Sequence, residues 1–270
     1  MKIKLALSGR IFEQDYKENI PLEEFVEIAS EIGYQGIELR RTQVSLETPS
    51  WKVEEYVEMI RDSGLEVVCM ETRGYPVLED ENIFIRFLEL AKKFDCQIIK
   101  MGGDPVKTTR CAEIAAGYGI RLGLNNHIGT EEKPGWTETI ERTVAYLGQV
   151  NHPNFGILYD ACHLFMSGSE YGAESINKIS DQIFYVLIQY LVETNKKNAE
   201  IIFHNRYFKN GIFGEPNGPD FNQVFKGLKQ NNYQGYIGVI SPMLKNISPE
   251  QVATIYYRKI KEKIEKIWLS

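Results

Sequence analysis

The chain lacks any long hydrophobic run. None of its apolar stretches approaches the roughly 18 residues of a membrane-spanning helix. In the first residues, MKIKLALSGRIFEQD, the apolar run before the next charged residue is too short for the hydrophobic region of a signal peptide. We therefore expect a cytoplasmic protein that has no membrane partner.

Positive charge is also scarce. The 270 residues include 31 Lys and Arg against 37 Asp and Glu, which gives a net charge of −6 and an isoelectric point near 5.5. Binding to nucleic acid requires a clustered surplus of Lys and Arg that neutralises phosphates. The composition therefore argues against a nucleic-acid partner and favours a small molecule or another protein.

Cysteine is rare and scattered. The chain contains Cys69, Cys96, Cys111 and Cys162, and no two of them have the CxxC spacing of a zinc knuckle. Reduced thiols are the expected state in a cytoplasmic protein. Only Cys162 lies near the candidate chemistry described below, and a small buried side chain is its simplest interpretation.

The chain does contain a regular series of short apolar runs. Eight of them begin at intervals of roughly 31 residues, the spacing of a barrel of eight strand–helix repeats, and only the last interval is much longer. The series therefore predicts eight strands. The runs are KLALS from Lys4, GIELR from Gly36, EVVCMET from Glu66, QIIKMGG from Gln97, RLGLNNH from Arg121, FGILYD from Phe155, IFYVLIQ from Ile183 and YIGVIS from Tyr236.

Segments with helical periodicity separate these runs. PLEEFVEIASEIGY, for example, has Pro21 near its start, apolar residues at helical spacing, and Gly33 as a stop. No run resembles a polar-faced edge strand, and the first strand–helix turn lacks the GxGxxG motif of dinucleotide-binding folds. We therefore predict an α/β fold with one domain over residues 1–270, a single (β/α)8 TIM barrel with a hairpin-containing insertion at about residues 192–219, after strand seven.

Polar side chains follow the predicted strands at their C-terminal ends, where TIM barrels build their active sites. Several are cationic, which favours an anionic or strongly polar ligand. Inward and outward positions alternate along a strand, so about half of them are expected to face the outer helices. They are Arg10, Glu38, Arg40, Arg41, Glu71, Arg73, Lys100, Asn125, Asn126, His127, Asp160, His163, Gln189 and Ser241.

The chain resembles the xylose isomerase-like TIM-barrel superfamily, in particular its sugar phosphate isomerase/epimerase branch, which includes tagatose 3-epimerase, hydroxypyruvate isomerase and dehydroshikimate dehydratase relatives. The resemblance rests on the order and spacing of GYQGIELR, LGLNNHIG, FGILYDACHLFMSG and FGEPNGPDFNQVFKGLKQNNYQGYIGV, and it spans nearly the whole chain. It implies Mn²⁺ or Mg²⁺ held by a Glu ending the fifth strand, an Asp ending the sixth, a His on the seventh and a Glu ending the eighth. It also implies proton transfer by the two glutamates on a metal-polarised hydroxy-ketone.

Three of the four metal ligands that the resemblance implies are absent. Asp160 is present, but Asn125, Leu187 and Ile240 occupy the other three positions. A single carboxylate cannot hold a labile dication against water, so we expect no metal cofactor. One alternative alignment takes IIFHNR as the seventh strand and keeps His204 as a ligand. Another alternative is a rearranged Mn²⁺ or Mg²⁺ site that uses side chains among Asp160, His127, His163 and Glu71.

The first functional hypothesis is an enzyme of this family that works without the metal. It would isomerise, epimerise or dehydrate a small, polyhydroxylated, anionic carbonyl compound. Asp160, His163 and His127 are the candidate catalytic residues, because a carboxylate beside an imidazole can transfer protons. The candidate substrate-binding residues are Arg10, Glu38, Arg40, Glu71, Arg73, Lys100, Asn125 and Gln189, of which Arg40, Arg73 and Lys100 would stabilise an enediolate or a carboxylate.

The second hypothesis is a protein that has lost catalysis. It would bind a sugar-like ligand or serve as a partner subunit, with the segment at residues 192–219 as its contact surface. The apolar residues Leu187 and Ile240 at implied ligand positions motivate this alternative. A homodimer is a further expectation that the resemblance implies.

Overall fold

The computed structural model describes residues 3–130 and 132–269, and within them eight parallel strands close into a barrel. Consecutive barrel strands are hydrogen-bonded neighbours, and the eighth pairs with the first. Every strand coincides with one of the eight apolar runs, so the predicted TIM barrel is confirmed. The strands are Lys4–Ser8, Gly36–Leu39, Glu66–Glu71, Ile98–Lys100, Arg121–Asn125, Phe155–Asp160, Ile183–Ile188 and Tyr236–Val239.

Helices pack around the outside of this barrel. The first one buries Leu22, Phe25, Val26 and Ala29 and ends at Gly33, whose φ of 99° is in the left-handed region that favours glycine. Short 3-10 helices lie at Gly9–Phe12, Ser180–Gln182 and Lys196–Asn198. The α-helices are α1 (Leu22–Ile32), α2 (Ser50–Asp62), α3 (Glu81–Lys93), α4 (Pro105–Ala116), α5 (Ile140–Val150), α6 (Ala161–Ser167), α7 (Ala173–Ile179), α8 (Phe221–Gln230) and α9 (Pro249–Leu269). None of the described helices combines the length and apolar character needed to cross a bilayer.

The interior of the barrel is a packed cluster of side chains from the strands. A larger cluster between strands and helices forms the rest of the core. Because the side chains of this inner cluster fill the barrel, a ligand can bind only at an end of the barrel, outside the cluster. Its buried members are Ala6, Val68, Cys69, Ile98, Leu158, Tyr185, Leu187, Tyr236 and Ile240.

All four cysteines are buried and none forms a disulfide. Their burial agrees with the prediction of structural thiols. Cys162 donates a hydrogen bond from Sγ to the carbonyl oxygen of Gln189, 2.8 Å away, and burial raises the pKa of its thiol. A thiol with a raised pKa is a poor nucleophile at neutral pH.

The segment after the seventh strand forms a small sheet outside the barrel. Leu191–Glu193 pairs with Arg206–Asn210, which pairs in turn with Ile201–Phe203, in both cases antiparallel. The hairpin turn at His204 and Asn205 has positive φ at both residues, as a type I′ turn requires. The seventh barrel strand is therefore not IIFHNR, and the alternative that keeps His204 as a ligand is wrong. That this segment is an insertion stays a prediction.

A second hairpin follows the first barrel strand. Glu13–Gln14 pairs antiparallel with Lys17–Glu18, and the turn between them places Asp15 and Tyr16 at positive φ. Nothing in the sequence analysis anticipated this hairpin, because the turn contains neither Gly nor Asn–Gly, which are the strongest hairpin signals.

Candidate functional site

A cavity of about 500 Å³ opens at the C-terminal ends of the barrel strands. This is the end of the barrel at which the sequence analysis placed the site. The cavity wall includes ten of the eleven candidate residues, which are Arg10, Arg40, Glu71, Arg73, Lys100, Asn125, His127, Asp160, His163 and Gln189. The structure thus brings these ten together, although their individual roles stay predictions.

Glu38 is the candidate residue that does not line the cavity. Its side chain is fully buried, and its Oε1 accepts a hydrogen bond from Ser8 Oγ at 3.0 Å. Arg40 Nη1 lies 3.9 Å from the same oxygen. The other oxygen, Oε2, has no hydrogen-bond partner among the described residues. The structure therefore places Glu38 in the barrel interior, away from the cavity wall.

Asp160 ends the sixth barrel strand and caps the helix that follows it. Its Oδ1 accepts hydrogen bonds from the backbone N–H groups of Cys162 and His163, at 3.0 and 3.4 Å. Its Oδ2 accepts a hydrogen bond of 2.8 Å from Gln189 Nε2. Burial raises the pKa of Asp160 to about 6, although these donors favour the charged form. The carboxyl group can therefore exchange a proton near neutral pH.

His127 and His163 lie against each other beside Asp160. Their ring centroids are 4.1 Å apart, with 33° between the ring planes. His163 Nε2 lies 3.8 Å from Asp160 Oδ2, and its buried Nδ1 has no hydrogen-bond partner among the described residues. Burial lowers the pKa of His163 well below its usual value, and the positive charges of Arg10 and Lys100 lower it further. His163 is therefore neutral at pH 7.

His127 has a defined tautomer. Its Nδ1 lies 2.6 Å from the carbonyl oxygen of Ile128, and a carbonyl can only accept, so Nδ1 carries the proton. Its Nε2 makes no hydrogen bond to any of the described residues, so the lone pair there is available. Although part of the ring is exposed at the mouth, desolvation lowers the pKa of His127, as do the charges of Lys100, Arg10 and Arg73. A neutral imidazole with a free Nε2 can act as a general base.

The positively charged side chains of the cavity wall differ in how closely glutamates pair with them. Arg40 is buried and pairs with Glu71 at 2.5 Å and with Glu13 at 3.2 Å. Lys100 is 4.0 Å from the same oxygen of Glu71, too far for a hydrogen bond. Arg73 stacks on the ring of Tyr16 at 3.8 Å. Arg40 thus acts as a structural partner of glutamates.

Tyr16 is a cavity residue that the sequence analysis missed. It comes from the tip of the hairpin after the first strand and lines the cavity together with Thr72 and Tyr75. Its ring is 59% exposed, so its contact with Arg73 lies at the rim of the cavity. The only signal for it is its place in a strand–helix loop at the catalytic end of the barrel.

Comparison with known protein families agrees with this geometry. The sequence model described as the xylose isomerase-like TIM barrel matches residues 26–255, which is most of the chain. The chain belongs to the xylose isomerase-like TIM-barrel family.

Its relatives include enzymes of sugar chemistry. An inosose dehydratase from Lactiplantibacillus plantarum is 29% identical over 155 residues, which are 56% of this chain and 50% of that protein. The alignment thus spans half the length of this curated relative. The crystal structure of a D-psicose 3-epimerase in the presence of D-fructose has a TM-score of 0.73 at 13% identity, and the superposition covers 99% of this chain and 100% of that one.

A xylose isomerase-like TIM-barrel protein from Mycobacterium smegmatis has been crystallised in complex with magnesium. It has a TM-score of 0.72 at 14% identity, and the superposition covers 98% of each chain. At this identity the likeness shows a common fold. Whether this chain can hold such an ion depends on its own side chains.

The residues at the implied metal positions do not fit a divalent ion. Leu187 is fully buried in the barrel interior, and Ile240, which is nearly so, lines the cavity; both are hydrocarbon side chains. Asn125 offers an amide, which donates a hydrogen bond to the backbone oxygen of Asn126 at 3.1 Å. Both oxygens of Asp160 already accept hydrogen bonds. Divalent Mg²⁺ and Mn²⁺ prefer several oxygen ligands, and this xylose isomerase-like barrel supplies one carboxylate at those positions.

A rearranged metal site has little support from the same geometry. Glu71 is engaged by Arg40 at 2.5 Å, which leaves it a poor ligand. Within residues 3–130 and 132–269, no group of three or more His, Cys, Asp or Glu side chains could hold a metal ion.

Proposed function

We propose that this protein transfers protons on a small, polyhydroxylated, anionic carbonyl compound without a divalent metal, in an isomerisation, epimerisation or dehydration. The observation that carries the proposal is the free Nε2 of His127 beside Asp160 and His163, in a cavity that also contains Arg10 and Lys100. A base, a carboxyl group with a pKa near neutrality, and cations for a developing oxyanion are the groups that such chemistry needs.

The proposed first step is removal of a proton from the carbon next to the carbonyl group. His127 Nε2 takes the proton, the C–H electron pair forms a C=C bond, and the carbonyl oxygen becomes an oxyanion. Lys100 stabilises that oxyanion, because its ammonium group is held by no hydrogen bond to Glu71, 4.0 Å away.

The second step returns a proton to the enediolate. Asp160, with a pKa of about 6, is protonated in part near neutral pH and can supply it. His163 contacts both residues, with its ring against that of His127 and its Nε2 3.8 Å from Asp160 Oδ2, so it helps to position them. Protonation at the neighbouring carbon, with transfer of the hydroxyl proton to the first oxygen, gives an isomer, and protonation at the same carbon on its other face gives an epimer. If Asp160 instead protonates a β-hydroxyl group, that group leaves as water and a dehydrated product forms.

Hydrogen exchange tests the proposal without knowledge of the natural substrate. The chelator-treated protein is incubated in D₂O with 5-keto-D-gluconate as an anionic probe and with D-fructose as a neutral one, and NMR detects deuterium next to the carbonyl group. We expect exchange with the anionic probe, and its loss in the double variant Asp160→Asn, His127→Gln. His152→Gln is the matched control, because His152 precedes the sixth strand at the opposite end of the barrel.

Two outcomes would overturn the proposal. Exchange in the double variant equal to that of the wild type would remove Asp160 and His127 from the chemistry. Exchange that vanishes on chelation and returns with Mn²⁺ or Mg²⁺ would restore a metal-dependent mechanism.

The second candidate is a catalytically silent ligand-binding protein or partner subunit. The burial of Leu187 and Ile240 favours it, since both put apolar groups where the resemblance implies ligands. Ligand binding without exchange for either probe, together with a stable complex in light scattering, would support this function. Exchange by an isolated monomer would argue against it.

A further inference from the structure

Among the described residues, Arg10 is a cavity cation whose side chain forms no hydrogen bond or ion pair. Its backbone N–H binds Ser8 Oγ, but its guanidinium group makes no hydrogen bond or ion pair within residues 3–130 and 132–269. Arg40, by contrast, is neutralised by Glu71 and Glu13. Because no side chain of the described residues accepts from this guanidinium group, its N–H donors can bind a planar acceptor from a ligand in the cavity.

The position of Arg10 suits a group at one end of the substrate. Arg10 lines the cavity together with Lys100, and both charges act on the rings of His127 and His163. A substrate anchored at Arg10 would therefore reach the proposed base. Lys100 remains available for the oxyanion, so the two cations can serve different parts of one ligand.

Four of the barrel helices have N-termini that a carboxylate already caps, so they offer no free N-terminus to a phosphate. TIM barrels often bind phosphate at the N-terminus of a helix after one of the later strands, through free backbone N–H groups. Here the helices after the third, fourth, sixth and seventh strands each begin with an aspartate whose carboxylate already accepts these N–H groups. These caps are Asp80, Asp104, Asp160 and Asp220.

The acidic side chains of the cavity wall also disfavour a phosphate. Glu71 and Glu79 line the cavity in addition to Asp160. Their charge offsets part of the positive charge of Arg10, Arg40, Arg73 and Lys100, which reduces the attraction for a dianionic phosphate. The flat carboxylate also matches the fork of an arginine, which donates two parallel hydrogen bonds.

We propose that Arg10 binds a carboxylate of the substrate, which is therefore a small polyhydroxylated acid and not a phosphate ester. This inference rests on the proposed function for the remainder of the substrate's chemistry. It makes Arg10 a residue that determines specificity.

The experiment measures binding, not turnover. Isothermal titration compares three six-carbon probes, namely D-gluconate with a carboxylate, D-sorbitol with no charge, and D-sorbitol 6-phosphate with a phosphate. We expect gluconate to bind more tightly than the other two. Arg10→Met should weaken gluconate binding by about 10- to 100-fold, the usual effect of losing a charge-assisted hydrogen-bonded pair. Arg10→Lys should retain part of the affinity.

Arg41→Met is the matched control, because Arg41 stacks on Tyr75 and is not among the cavity-lining residues. It should leave gluconate binding unchanged, and thermal unfolding of each variant checks that it is folded. Tighter binding of the phosphate, gluconate affinity that is unchanged in both Arg10 variants, or no gluconate binding at millimolar concentration would overturn the proposal. Loss of hydrogen exchange in the Asp160 and His127 variants tests the proposed function separately, so the two proposals can fail independently.

Discussion

Gln189 Nε2 donates a hydrogen bond of 2.8 Å to Asp160 Oδ2, from the residue after the seventh barrel strand to the last residue of the sixth. Two backbone N–H groups bind the other oxygen of the same carboxylate. An amide donor thus faces Asp160 in a site where the family resemblance implies a metal ion. The arrangement holds the carboxyl group in place and leaves its protonation to be set by burial.

The stability of the protein should depend on the ionisation of Asp160. Its pKa is about 6 in the folded protein, against 3.8 for an ordinary aspartate. Between these values the folded state holds a proton that the unfolded state has lost, so stability falls as pH rises from 3.8 to 6. Asp160→Asn should remove this decrease in the free energy of unfolding, which amounts to roughly 2 to 3 kcal/mol. Urea unfolding of both proteins across this pH range measures it, and parallel pH curves would contradict it.

The two histidines of the cavity should respond to Arg10. The charge of Arg10 lowers the pKa of both His127 and His163. Arg10→Met should therefore raise both values toward that of free histidine, although burial keeps that of His163 low. NMR titration of the imidazole Cε1–H resonances provides the measurement, with Arg41→Met as the control. Unchanged titration in Arg10→Met would show that Arg10 does not face the histidine pair.

Arg40 should prove important for stability. Arg40→Met leaves Glu71 and Glu13 buried without their partner, and breaking a buried ion pair from one side costs about 3–5 kcal/mol. Arg41→Met, which changes a largely exposed side chain, should cost no more than about 0.5 kcal/mol. Chemical denaturation of both variants checks the difference. An equally small loss of unfolding free energy in both variants would indicate that the pairing of Arg40 with Glu71 and Glu13 contributes little to stability.

Restoring the implied ligands should create metal affinity. The triple variant Asn125→Glu, Leu187→His, Ile240→Glu surrounds Asp160 with further donors, and it should bind Mn²⁺ where the wild type does not. Electron paramagnetic resonance of free Mn²⁺ measures the affinity. The Leu187→His single variant is the control, since one added ligand should not suffice. Stoichiometric Mn²⁺ in purified wild type would contradict the prediction.

The spacing and apolar character of the strands determined the fold without reference to tertiary contacts. Each βα unit repeats at a local period, so eight runs from Lys4 to Tyr236 were enough to predict the barrel and the end of it that carries the site. The length of one βα unit, counted from Asp160, also assigned Leu187 rather than His204 to the seventh strand.

The tertiary structure decided which of the charged side chains are free. Strands buried on both faces show no polar alternation, so the sequence could not tell that Glu38 lies in the barrel interior, where the strand register shifts between Ile37 and Glu38. Nor could it show that Glu13, from an unpredicted hairpin, joins Glu71 in neutralising Arg40. It also could not show that the Arg10 side chain makes no ion pair within the part of the chain that the structure describes. Ion pairing is set by distances of a few ångströms between residues far apart in the chain, and no local pattern encodes those distances.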